Sequence, residues 1–293
     1  MEKQVTINYP PSTILVECPR DAMQGWHRFI PTKDKIRYIN ALLKVGFNTI
    51  DFGSFVSPKA IPQMADTKEV LQGLKLQGSS SQLLAIVANT RGAAEAVVFD
   101  EIAFLGFPFS ISPTFQQRNT NSTIEESLVR VAEIQELCLK NNKQLVLYLS
   151  MGFGNPYGDV YNQDILLHWA AEMAARDITI ISLADTVGLA NTQQITDALQ
   201  ALIPTNKNIS FGVHLHSTQS SFQPKLQTAI SAGCLRFDGA LKGIGGCPMA
   251  QDDLVGNMPT ELMIDYLESQ GLLTALNKNA LQESLLIASE IFI

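Results

Sequence analysis

The sequence His214-Leu215-His216 puts two imidazoles two residues apart at the end of a short strand-like run, ISFGVHLH (209–216). In a strand, residues i and i+2 face the same side, and paired imidazoles suit borderline divalent metals. The competing reading is a hydrogen-bonded pair that serves structure alone. A second group, Cys18-Pro19-Arg20-Asp21, follows another such run, ILVEC (14–18). Arg20 and Asp21 either reach a shared site or form a surface ion pair of little energetic weight. Two further acids close strand-like runs, Asp51 in NTIDF (48–52) and Asp185 after ITIISLA (178–184). Each is a candidate for catalysis or, alternatively, a cap or turn acid. The glycines of Gly243-Ile244-Gly245-Gly246-Cys247 let backbone move beside a thiol, as a lid requires, and Gly256-Asn257 adds an amide oxygen. Glu17, within the first run, is read as a member of a structural ion pair. His27 is assigned to a loop and His168 to an amphipathic helix beside Trp169.

These groups need a scaffold that gathers strand ends. Eight short apolar runs alternate with helical periodicity; besides those named they are QLLAIVA (82–88), EIAFLGF (101–107), QLVLYLS (144–150) and LRFDGAL (235–241). The clearest helices are 33–46, 123–142 and 163–177, with start signals at Thr32, Ser122 or Thr123, and Asn162, and stop signals at Gly46, Asn141 and Gly233. Alternation of this kind implies parallel strands with right-handed crossovers. No GxGxxG follows the first strand and no GxxxxGK[ST] occurs, so the common phosphate signatures of open sheets are missing. Eight repeats in 293 residues predict a closed (β/α)8 barrel, a single domain with its core at about 12–277, a short C-terminal helical tail and a lid after strand eight. Such barrels collect catalytic groups at the C-terminal strand ends. Strands one and seven lie close there, with only strand eight between them.

Composition narrows the partners. Hydrophobic residues make up 46% and charged residues 17%, enough apolar material for a large core. The charge of −7, from 21 basic and 28 acidic residues without a Lys/Arg run, argues against nucleic acid and anionic membrane as partners. The four cysteines (18, 138, 234 and 247) form no CxxC pair and read as reduced thiols. The N-terminus lacks signal and transit patterns, so a cytoplasmic protein is expected.

Beyond these readings, the sequence resembles the 3-hydroxy-3-methylglutaryl-CoA lyase family of metal-dependent (β/α)8 (TIM) barrels, from about residue 12 to about 277. The resemblance is carried by VECPRDAMQ (16–24), SFVSPKAIPQMAD (54–66), NSTIEES (121–127), LADTVG (183–188), VHLH (213–216) and GIGGCPMAQDDLVGN (243–257). It implies a divalent cation held by Asp21, His214, His216 and Asn257. It further implies a catalytic arginine at Arg20, acids at Asp51 and Asp185, and a mobile-loop cysteine at Cys247. The family usually has Glu where this chain has Asp51. It reads Asp-Thr-Tyr-Gly where this chain has Ser217-Thr218-Gln219-Ser220, and Gly-Leu-Gln where it has Ala22-Met23-Gln24. The strand-five loop, 150–157, lacks the cysteines often found there.

The implied reaction is cleavage of 3-hydroxy-3-methylglutaryl-CoA to acetyl-CoA and acetoacetate. The base would be Asp51 or a ligand-shell group such as His214; Arg20 would stabilise the thioester oxygen, and Cys247 would protonate the enolate or close the lid. Asp and Asn beside two histidines suit Mg²⁺ or Mn²⁺ better than Zn²⁺. An acyl-CoA substrate and a homodimer follow from the resemblance alone. The rivals are a condensing synthase or aldolase of the same superfamily, which the short extension after the barrel disfavours, and a non-catalytic metal-binding barrel.

Overall fold

A computed structural model describes residues 13–246, 256–273 and 276–293. Strands β1 (Ile14–Glu17), β2 (Thr49–Ser54), β3 (Gln82–Ile86), β4 (Ile102–Ser110), β5 (Gln144–Ser150), β6 (Ile180–Ala184) and β7 (Ser210–His214) pair in parallel in chain order. The two-residue strand β8 (His216–Ser217) stands outside the barrel, which β9 (Arg236–Gly239) closes by pairing with both β7 and β1. The eight-stranded (β/α)8 barrel expected from the alternation is therefore present. Finally β10 (Gly256–Asn257) pairs antiparallel with β8, setting Asn257 opposite His216.

Local chemistry explains the helix starts. Thr123 and Glu126 form a reciprocal capping box at the head of the helix Ile124–Lys140, and the Asn162 side chain accepts from the Ile165 N–H. At Thr32 the expectation shifts by one residue. Pro31 holds the cap position, and the Thr32 hydroxyl donates instead to Asp66 at 2.7 Å. That helix stops at Leu42, short of Gly46, whose positive φ of 95° redirects the chain into β2.

Two cores result. The larger fills the space between barrel and helices. A smaller one, of Leu84, Ile86, Phe104, Val146, Tyr148 and Ile180, lies on the barrel's inner face from β3 to β6. The tail helix Lys278–Ile291 packs on the helix Thr32–Leu42, and Phe292 meets Trp26 edge-on at 5.2 Å. No described helix is long and apolar enough to cross a membrane. Cys18, Cys138 and Cys234 are free and buried.

The ion pair expected at Glu17 is not formed: its carboxyl accepts the Leu241 N–H at 3.0 Å, and no described cation lies within 4.0 Å of it. Glu17 alternates outward from the barrel into the layer below the helices, and burial lifts its pKa to about 8. The folded chain thus holds this proton at neutral pH while the unfolded chain, near the ordinary carboxylate value of 4.5, releases it. Stability attributable to Glu17 falls as pH rises from about 4.5 to 8. Glu17→Gln should remove that slope, gaining roughly 2–4 kcal/mol on wild type between pH 5 and pH 9 at about 1.4 kcal/mol per pKa unit. Urea unfolding at the two pH values measures it, and parallel stability curves for both proteins would refute it.

Candidate active site

The end of β1 runs straight into a helical turn, Pro19–Gln24, which brings Arg20 and Asp21 over the C-terminal mouth, where both are buried. The surface-pair reading is excluded by that burial. Arg20 grips Asp51 of β2 through Nε (3.0 and 3.2 Å) and Nη2 (2.5 Å), and donates from Nη1 to Asp21 at 2.9 Å. Burial opposes the charged form of Arg20, but its two acids outweigh it and raise its pKa. Burial likewise pushes Asp21 upward, yet Arg20, His214 and an Asn257 hydrogen bond hold it at about 2. Asp51, fully enclosed, rises to about 6 in spite of Arg20.

His214 and His216 do share a face, with Leu215 turned into the outer core, and their ring centroids lie 5.4 Å apart. One ligand atom each from Asp21, His214 and His216 falls within a 4.8 Å cluster. The His216 Nδ1 is 2.5 Å from the Asp185 carbonyl oxygen, which fixes the proton on Nδ1. Its Nε2 is buried without a partner among the described residues. Asn257 donates from Nδ2 to Asp21 (2.7 Å) and to the Ile244 carbonyl (2.9 Å), leaving Oδ1 buried and, among the described residues, unpartnered. Two orphaned acceptors beside a low-pKa carboxylate are what a divalent cation would satisfy, so the donor set fits one. The close approach is paid for at Gly245: at φ of 100°, a Cβ there would lie 2.7 Å from the Asn257 Nδ2.

The strand-six acid occupies a different place from the one its position suggests. Ala184 and Thr186 line the cavity, whereas the Asp185 side chain alternates away to Lys225 (2.9 Å) and the Ala190 N–H (2.9 Å). Its backbone oxygen, not its carboxylate, reaches the site. Asp51 also stands behind Arg20 and outside the cavity lining. Cys247 and most of the lid loop lie outside the described residues.

Other residues escaped sequence reasoning. Asp238 of β9 places Oδ2 3.3 Å from the His214 Nδ1 and accepts from Ser182 at 3.2 Å. Burial disfavours a charged His214, but Asp238 and then Asp21 overcome it and raise its pKa. Tyr148 meets His214 edge-on at 5.9 Å, with its hydroxyl buried and unpartnered among the described residues. The available signal was a polar residue at an inward position of an apolar strand run. The cavity above, about 430 Å³, joins Arg20, Asp21, His214 and His216 to an apolar wall that includes Val56, Ile61, Ile86 and Phe115.

A barrel with this cluster at its C-terminal mouth belongs among the (β/α)8 proteins built to hold a divalent cation against an organic ligand. More narrowly, the chain belongs to the HMGL-like family, whose model matches residues 13–286. It is 32% identical to a hydroxymethylglutaryl-CoA lyase of Bacillus subtilis, over 96% of this chain and 92% of that protein. The crystal structure of the Bacillus subtilis HMG-CoA lyase superposes with a TM-score of 0.90 at 30% identity, covering 97% of this chain and 95% of that one. An Acinetobacter baumannii HMG-CoA lyase in complex with coenzyme A and 3-methylmalate gives a TM-score of 0.87 at 30% identity, over 96% and 91% of the two chains.

Because Asp238 fixes the His214 ring from behind, Asp238→Asn should weaken Mn²⁺ binding about 10–100-fold. Electron paramagnetic resonance of free Mn²⁺ measures the loss, and unchanged affinity would remove Asp238 from the site.

Proposed function

We propose that this chain cleaves 3-hydroxy-3-methylglutaryl-CoA into acetyl-CoA and acetoacetate. The observation that carries the reading is the set Asp21, His214, His216 and Asn257, with two acceptors left open, beside Arg20 at the floor of a largely apolar cavity. Family membership and the lyase relatives support the same substrate. Hard oxygen donors mixed with imidazole suit Mg²⁺ or Mn²⁺. Such a cation supplies polarisation of the substrate's hydroxyl and carbonyl oxygens when bound.

The chain's own residues divide the remaining work. His214 lines the cavity with Asp238 behind its Nδ1, which leaves Nε2 for one task at a time. It would hold the cation before substrate binds and accept the hydroxyl proton afterwards, with Asp238 stabilising the charge the ring gains. Loss of that proton lets the tertiary alkoxide collapse to a ketone, and the breaking carbon–carbon bond leaves its electron pair on the acetyl-CoA enolate. Arg20 stabilises negative charge on the thioester oxygen. Asp51 replaces the base assignment with a positioning one: it locks the guanidinium along Nε and Nη2. Asp185 and Lys225 position His216. Cys247 is the residue that the family resemblance assigns to returning a proton to the enolate carbon. The apolar wall keeps water from that carbanion.

Incubation of the purified protein with the thioester and Mg²⁺ should release acetoacetate. Arg20→Gln should lower kcat about 10²–10³-fold, the usual cost of losing an oxyanion-stabilising donor. Turnover of a different 3-hydroxyacyl-CoA, with none of this one, would transfer the chemistry to another substrate. Failure of every such thioester in the presence of bound Mn²⁺ would leave a binding protein.

A further inference from the structure

Ser150 ends β5 and lines the catalytic cavity, with 5% of its surface exposed. Its hydroxyl makes no hydrogen bond among the described residues, yet it is not sealed off as the Tyr148 hydroxyl is. Neighbouring polar groups of the lining are committed. Gln24 donates to Asp21 at 3.0 Å, and the Thr120 hydroxyl bonds the Gln116 carbonyl and Ser122. Register sets Ser150 beside Ala184 and Ala184 beside His214, on three successive strands. At about 4.8 Å per strand, Ser150 and His214 stand level and about 10 Å apart at the Cα, with only the small Ala184 side chain between them.

The chain turns sharply just past Ser150. Met151 is buried with φ of 60°, a left-handed conformation unfavourable for a residue with a side chain. Its N–H donates to the Thr186 Oγ1 at 2.9 Å, which draws the ends of β5 and β6 together. Thr186 lines the same cavity, and its own proton has only the Ala184 carbonyl, at 3.4 Å, to receive it. Two hydroxyl donors, one unspent and one weakly used, thus share the β5–β6 corner. In the reaction proposed above, on which this inference rests, the hydroxyl-bearing carbon also carries a thioester arm and a carboxylate arm. Arg20 follows β1, on the one side of His214, and is assigned the thioester oxygen; the hydroxyl corner lies on the other side, past β6. We propose that Ser150 and Thr186 form the subsite for the free carboxylate of the acyl group, and so select thioesters of dicarboxylic acids over those of simple fatty acids. Hydroxyls fix the place of that carboxylate, while the cation of the adjoining cluster supplies the opposing charge.

Two thioesters without the reacting hydroxyl isolate this contact: glutaryl-CoA, and valeryl-CoA, in which a methyl replaces the carboxylate. Calorimetric titration of the full chain in Mn²⁺ should show tighter binding of glutaryl-CoA. Ser150→Ala should weaken glutaryl-CoA about 10–100-fold, the usual cost of a lost hydrogen bond to a charged group, and leave valeryl-CoA and Mn²⁺ affinities unchanged. Thr186→Val should also narrow the preference, and Thr186→Ser, which keeps the hydroxyl, should preserve it. Equal weakening of both thioesters would reduce Ser150 to a structural part, and glutaryl-CoA binding indifferent to position 150 would put the carboxylate elsewhere; either result overturns the proposal. Acetoacetate release from the 3-hydroxy-3-methylglutaryl thioester tests the reaction separately. Its absence, with the Ser150-dependent preference intact, would move the substrate among dicarboxylic thioesters and keep the subsite.

Discussion

Arg20 is one guanidinium set among more carboxylates than it can neutralise, and the catalytic mouth is arranged around that shortage. Asp21 and Asp51 share it directly, while Asp238 faces the site from β9 with Ser182 and His214 as its side-chain partners among the described residues. Asp185, the remaining acid, is balanced by Lys225. Burying charge in this excess is unfavourable unless a counter-charge arrives. The deficit sits beside His216 and Asn257, whose open acceptor atoms face the same cluster. Electrostatics and coordination chemistry therefore ask for the same thing at the same place.

The barrel interior is divided to suit this. Its β3–β6 side carries aliphatic and aromatic residues, Leu84, Ile86, Phe104, Val146 and Tyr148 among them. The side formed by β7 and β9, with Asp51 of β2, carries the ionisable groups. Apolar wall and charged wall meet across one axis, so a ligand with a charged head and a hydrocarbon portion has a defined way to lie.

The barrel was legible because its strands are short apolar runs of the right number, and those runs hold to within a few residues. The shared face of His214 and His216 was legible because strand alternation is a local rule. The same rule, applied past the end of β6, would have turned Asp185 outward; its sequence position suggested catalysis, whereas its parity sends the carboxylate to Lys225. Glu17 misled for a related reason. A buried acid suggests a cation, but a carboxyl can also stay neutral, and burial without a described cation nearby decides it here, against the Leu241 amide that favours the charged form. Asp238 was hidden because nothing in LRFDGAL marks it as facing an imidazole 24 residues earlier. Asn257 was legible as a possible amide oxygen, but its place in the ligand set came from family resemblance, since its position depends on a ribbon of only two residues per strand.

That ribbon has a consequence for synthesis. Asp21 and Asn257, hydrogen-bonded in the finished site, are separated by 236 residues. The helical turn with Arg20 and Asp21 leaves the ribosome among the first parts of the barrel, and both histidines follow before β9 is made. None of them meets Asn257 until every strand of the barrel has emerged. The cation cluster can thus form only after all eight barrel strands have been made, and a product interrupted before residue 257 carries its acids and imidazoles without the geometry to use them.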